Sequence, residues 1–116
     1  MELGINSTPS VQPNEVENFI KEGFVLVDVR EIDEWTSGHH VNAIHIPMGD
    51  IMDNMNSFHQ NEKYSVVCRS GSRSARVTNY MISQDIEAYN MSGGMKELRN
   101  FTKKIYDSEG NPGQII

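Results

Sequence analysis

Cys68 is the only cysteine among 116 residues, and it opens the stretch Cys68-Arg69-Ser70-Gly71-Ser72-Arg73-Ser74. The reactive form of a cysteine is its thiolate, which is favoured by neighbouring positive charge and by a helix N-terminus. The spacing predicts both. Arg69 and Arg73 supply two fixed charges. A helix expected to open around Arg73 or Ser74 turns its unpaired N–H groups and positive dipole end back at the loop. Gly71 lets the backbone curl so that successive N–H groups converge on one anion. Ser70, Ser72 and Ser74 add small donors. Such a loop is an anion cradle with a nucleophilic sulfur at its floor. A lone cysteine after a buried strand is often only a small core residue, but a core residue has no need of the glycine, serines and arginines that follow.

The flanking segments alternate in type. "NEVENFIKEG" sets Val16, Phe19 and Ile20 at helical spacing, with Asn14 as N-cap and Gly23 as stop. "FVLVDV" is a continuous apolar run, expected as a strand covered on both faces. "EIDEWTSG" reads as a short helix closed by Gly38 and anchored in the core by Trp35. "AIHI" reads as a brief strand stopped by Pro47. "DIMDNMNSF" puts Ile51, Met55 and Phe58 on one helical face, and "YSVV" is the strand that leads into Cys68. "SRSARVTNYMIS" is a helix with Val77 and Met81 facing inward. "IEAYN" is a strand and "SGG" a turn. "MKELRNFTKKI" is a helix with Met95, Leu98 and Ile105 on one stripe. Strands separated by helices imply an α/β fold, a parallel sheet with helices on both faces. Residues 1–106 are expected to form one domain, with 107–116 a loose tail in which Ile115 and Ile116 are candidates for docking. In open parallel sheets ligands bind beyond the carboxyl ends of the strands, where Cys68 falls.

Composition narrows the function. Ten Lys and Arg stand against sixteen Asp and Glu, a net charge of −6, so neither nucleic acid nor an anionic membrane is an expected partner. No apolar run approaches the ~20 residues that span a bilayer. "MELGINSTPS" lacks the basic start and apolar stretch of a secretory leader. One cysteine excludes an internal disulfide and fits a reducing compartment, and the expected location is cytoplasmic. His39 and His40 are adjacent, so on a strand they point to opposite faces. With His45 and His59 they form no recognised ligand set. No metal and no cofactor are expected, and His39 is expected to bond local backbone. Gly93 and Gly94 lack the third glycine of a nucleotide fingerprint and suit a tight turn. Lys103 and Lys104 read as a solvated helix end.

Two more residues are candidates for the pocket. Arg30 follows the "FVLVDV" strand and so lies on the same side of the sheet as Cys68, where it faces a donor or pairs with an acid such as Asp28 or Glu34. Met48 is a candidate for lining the approach to Cys68, although its helix is expected chiefly to pack on the sheet.

Taken together the motifs resemble the rhodanese family of sulfurtransferases. Cys68-Arg69-Ser70-Gly71-Ser72-Arg73 resembles that family's six-residue active-site loop, "LVDVREIDEWTSGHH" its first signature, "NAIHIP" the segment after it, and "MSGGMKEL" its closing Gly-Gly turn. The markers run in order from Leu26 to Leu98. His40 stands where the family often has an aliphatic residue, and Leu98 where it often has tryptophan. The resemblance implies a three-layer α/β/α domain around a central parallel sheet of about five strands. It also implies sulfur transfer through a Cys68 persulfide, with Arg69, Ser70, Gly71, Ser72 and Arg73 forming the cradle and Ser74 beside it. The donor would be thiosulfate or a small persulfide, and the acceptor cyanide, a small thiol or a protein thiol. A module that carries sulfur for one protein partner needs the same residues. Cysteine-dependent phosphatases and arsenate reductases use a similar cradle, but their loops place one residue more between Cys and Arg than the four here. A phosphatase also needs an acid such as Asp50 within reach.

Overall fold

The computed structural model describes residues 7–116. The first six residues of the stretch read for a leader lie outside the described residues. The elements are β1 (Ser10–Val11), α1 (Val16–Lys21), β2 (Val25–Asp28), α2 (Ile32–Ser37), β3 (His39–His40), β4 (Ile44–His45), β5 (Lys63–Val67), α3 (Ser72–Ser83), β6 (Glu87–Met91), α4 (Gly94–Leu98) and β7 (Ile105–Tyr106). Five strands form one parallel sheet in the order β1-β6-β5-β2-β4. The α/β architecture expected from the alternation is the one observed.

Alternate residues of a strand face opposite sides of its sheet, and β2 and β5 send apolar side chains to both. Val27, Val29, Tyr64, Val66 and Cys68 join Val77 and Met81 of α3 in one core cluster. Leu26 and Val67 join Val16 of α1, Met95 and Leu98 of α4, and Ile105 in the other. The continuous apolar run of β2 is the sequence trace of this double burial. Cys68 therefore lies on the α3 side, one residue past the end of β5.

Four local expectations change. Asn14 is not an N-cap: Pro13 starts a 3-10 turn, Pro13–Glu15, ahead of α1, because its fixed φ suits the first residue of a helical turn. "DIMDNMNSF" forms the 3-10 turns Met48–Asp50 and Met52–Ser57 instead of an α-helix. There the Asn54 side chain donates to the Asp50 carbonyl, a local bond that competes with regular helix. Ile51 and Phe58 are nonetheless buried and Met55 packs on the same cluster. Helix α4 stops at Leu98, and Ile105 sits in β7, antiparallel to β3. Beyond the helix the Thr102 hydroxyl accepts the Lys104 N–H and donates to Glu17, which ties the segment leading into β7 to α1. Trp35 is half-buried, stacked with His39 at 3.6 Å and with His45 at 4.6 Å between centroids.

The last ten residues, expected as a loose tail, are hydrogen-bonded to the body. Ser108 N–H donates to the Thr36 carbonyl, Gly113 N–H to Ile105, and Gln114 N–H to Ser37. Ile115 packs against the second core cluster, whereas Ile116 is half exposed.

Candidate active-site loop

The loop 68–74 is held from three sides. Gly71 caps α3 in the left-handed conformation, φ +112°, which a side chain disfavours. Its carbonyl accepts from Ala75 N–H at 3.1 Å and from Asn90 Nδ2 at 3.1 Å. Across the loop, the first turn of α4 captures its outer carbonyls: Met95 N–H donates to Cys68 O at 2.8 Å and Lys96 N–H to Arg69 O at 3.0 Å. That approach needs Gly94, whose φ is +61° and where a Cβ would fall 2.5 Å from the Arg69 and Cys68 carbonyl oxygens. The Gly-Gly turn is thus a packing device for the loop.

Inside this frame the Cys68 Sγ is buried, with the residue 1 % exposed. It accepts from Gly71 N–H at 3.1 Å and lies 3.2 Å from the Ser74 hydroxyl. Burial is the largest single influence on the thiol and raises its pKa. The hydrogen bonds from the Ser74 hydroxyl and from the N–H groups of Ser74, Gly71 and Ser70 together outweigh it and hold the thiol below its ordinary value. The donors around the sulfur come from the loop and from the first turn of α3.

The arginines behave differently from one another and from expectation. Arg73 makes a two-pronged pair with Glu34 of α2, Nη1–Oε1 at 2.7 Å and Nη2–Oε2 at 2.9 Å. This pairing raises the Arg73 pKa and lowers that of Glu34. Its guanidinium fork is therefore committed to tying α3 to α2, although its charge still couples with Cys68. Arg69 is exposed and donates through Nε to the Ile116 carbonyl at 2.8 Å. Ser70 and Ser72 are exposed at the rim, while Ser74 is fully buried.

Arg30 does not open into a pocket. It is fully buried, bonds Asp28 through Nε and Nη2 (Nη2–Oδ2 2.7 Å), and donates to the Gly38 carbonyl at 2.6 Å. Arg30 is thus the structural pair foreseen as its alternative role. Met48 packs on the core cluster that includes Cys68. It lines a small groove with Ile51, Met52, Arg76, Val77 and Tyr80, and Cys68 is not among the residues of that groove. His39 Nδ1 lies 2.7 Å from the Trp35 carbonyl, the local backbone bond expected of it. Among the described residues no group of three or more His, Cys, Asp or Glu is arranged to hold a metal ion, and no helix is long and apolar enough to cross a membrane.

Sequence reasoning missed two residues that shape this site, Glu34 as the partner of Arg73 and Asn90 as a brace on the loop. Asn90 ends the "IEAYN" strand, beside β5 in the sheet. A polar residue at the carboxyl end of a strand adjacent to that of Cys68 was the available signal.

Comparison with known proteins agrees with this geometry. The family model described as a rhodanese-like domain matches residues 12–101. The chain is 39 % identical over 82 residues to YtwF of Bacillus subtilis, provisionally named a sulfurtransferase, covering 71 % of this chain and 80 % of that protein. It is 31 % identical over 83 residues to YrkF of the same organism, provisionally named a sulfur carrier protein, covering 71 % of this chain and 45 % of that one. A crystal structure of a rhodanese-like domain protein from Staphylococcus aureus superposes with a TM-score of 0.74 at 41 % identity, over 78 % of this chain and 90 % of that chain. Its sheet, its loop and these relatives agree: the chain belongs to the rhodanese-like domain family.

Proposed function

We propose that this protein is a sulfurtransferase that carries sulfane sulfur on Cys68. The observation behind this reading is the Cys68 Sγ seated among the Gly71 N–H, the Ser74 hydroxyl and the N–H groups of the loop. Such a ring of donors favours the sulfur anion that must attack and the anion that forms. The thiol first loses its proton to solvent. The thiolate then attacks the outer sulfur of thiosulfate: an S–S bond forms to Cys68, the S–S bond of the donor breaks, and sulfite departs with the electron pair. The product is a Cys68 persulfide whose negative charge faces the loop N–H groups. In the second half-reaction cyanide or a thiolate attacks the terminal sulfur, and Cys68 leaves as the thiolate. This is covalent two-step catalysis. The exposed Arg69 at the rim attracts the anionic donor. Arg73 serves chiefly to fix the mouth of the loop through Glu34. With no second cysteine in the chain, the acceptor comes from outside, as a small thiol, cyanide or a protein cysteine. A reducing interior such as the cytoplasm suits a free thiol of this kind.

A second reading, a sulfur carrier for a dedicated protein, is favoured by one feature. Cys68 is 1 % exposed, so a partner that reshapes the rim would gain more from the site than a small donor. The phosphatase reading has no comparable support, since the loop is one residue short between Cys68 and Arg73 and the Arg73 fork is held by Glu34.

Initial rates of thiocyanate formation from thiosulfate and cyanide separate these readings. The wild type is expected to turn over, and Cys68→Ser to lose about a thousandfold or more while its melting temperature stays within a few degrees. Wild-type turnover retained in Cys68→Ser would refute the mechanism. An inactive wild type that still accepts sulfur from a protein persulfide would favour the carrier.

A further inference from the structure

The Ser74 hydroxyl has two claimants. It lies 3.2 Å from the Cys68 Sγ, and it is hydrogen-bonded to Asn90 Oδ1. A hydroxyl has one proton to donate. Ser74 is fully buried, so water does not stand in for the partner that goes without. The orientation of the Asn90 amide is not free either. Its Nδ2 donates to the Gly71 carbonyl at 3.1 Å, which leaves Oδ1 to face Ser74. The Asn90 backbone is fixed in turn, its N–H donating to the Pro9 carbonyl at 2.8 Å.

We propose that Asn90 is a positioning residue for Cys68 that acts through the single hydroxyl proton of Ser74. Two arrangements satisfy the geometry. With Cys68 as the thiol, S–H donates to Ser74 Oγ and Ser74 donates to Asn90. With Cys68 as the thiolate, its proton has gone to solvent, the Ser74 hydroxyl turns to the sulfur, and Asn90 Oδ1 gives up its donor. Asn90 and the sulfur anion therefore compete for one proton. In a persulfide the negative charge sits on the outer sulfur, so the inner sulfur releases its claim and Ser74 returns to Asn90. When the outer sulfur departs, the proton swings back to receive the charge on Cys68. Asn90 thus moderates the thiolate in the resting protein and frees Ser74 to serve it when charge reappears.

The charged groups near Cys68 do not belong to this relay. Arg73 of α3 is held by Glu34 of α2, Arg69 reaches the Ile116 carbonyl, and Arg30 is paired with Asp28 at the end of β2. On α4, Lys96 and Glu97 are exposed.

The test is the pH profile of Cys68 alkylation by iodoacetamide in the wild type, Asn90→Ala, Ser74→Ala and the double variant, with thermal melts to establish folding. Ser74→Ala should move the midpoint up. Asn90→Ala, by freeing the Ser74 proton for the sulfur, should move it down by about half to one pH unit. In the Ser74→Ala background the Asn90→Ala change should move nothing, because its effect runs through the hydroxyl. An equal shift in both backgrounds, or none in the wild type, would overturn the proposal. Gly71 O keeps its bond from Ala75 N–H when Asn90 is lost, so the loop should hold. Should Asn90→Ala unfold, Asn90→Leu, of closer volume, replaces it with the same expectation. The consequence for turnover rests on the sulfurtransferase reading, but alkylation needs no sulfur donor. A failed transfer assay with an intact Ser74–Asn90 coupling would refute that reading alone.

Discussion

Arg73 places its positive charge against Glu34, and this changes what its loss should do. Arg73→Ala removes a two-pronged pair at a partly buried site, so stability should fall by about 1 kcal/mol, read by thermal or denaturant unfolding. The Cys68 alkylation midpoint should rise less in Arg73→Ala than in Ser74→Ala, because the hydroxyl and the loop N–H groups face the sulfur directly. A larger rise in Arg73→Ala would mean that charge, and not local donors, governs the thiol. Cys68, Gly71 and the serines were legible in the sequence because loop chemistry is local and their neighbours are contiguous. Glu34 and Asn90 were not. They come from 39 and 22 residues away from Arg73 and Cys68, and an acid or an amide at such a distance has no spacing rule to single it out.

At the scale of elements, α4 matters less as a helix than as a pair of N–H donors presented to Cys68 and Arg69. Gly94→Ala should therefore act on the loop. The side chain meets both a left-handed backbone and the carbonyls of Cys68 and Arg69, and the expected loss is about 2 kcal/mol or more. The alkylation rate should change with it, and an unchanged melting temperature would show that α4 does not brace the loop as described. Strands β2 and β5 and helix α3 were readable because double burial and helical periodicity leave long, regular patterns. Strand β1, two residues long, leaves no period at all. Strand β7 was hidden because Ile105 falls seven residues after Leu98, in helical phase with it, whereas the helix has already ended at Leu98. The 3-10 turns before β5 bury the expected Ile51 and Phe58, because burial follows the apolar residues and not the type of turn that carries them.

Across the whole molecule, Glu17 joins segments distant in sequence. Its carboxylate lies 3.0 Å from Nε2 of the buried His40 and accepts from Thr102 Oγ1 and Lys104 Nζ, each at 2.9 Å. His40 Nδ1 accepts from Asn42 N–H at 3.1 Å, so Nε2 carries the proton that goes to Glu17. The polar residue at this position is thus satisfied by a partner on α1. Burial raises the Glu17 pKa, but these hydrogen bonds prevail and lower it from 4.5 to about 2. A depressed carboxylate stabilises the fold fully above its unfolded value, and that contribution is lost as pH falls through the folded one. Melting temperature should therefore fall between about pH 4.5 and pH 2. Glu17→Gln should be less stable at neutral pH and vary less with pH across that window. Equal slopes in the two proteins would place the acid sensitivity elsewhere.

The claim that Cys68 carries sulfur is tested most directly by the intact mass of the purified protein after incubation with thiosulfate. A gain of one sulfur atom is expected, removed by a thiol reductant and absent in Cys68→Ser, as a covalent intermediate requires. A wild-type mass that stays unchanged with thiosulfate and with a small organic persulfide, or a gain that persists in Cys68→Ser, would contradict the account.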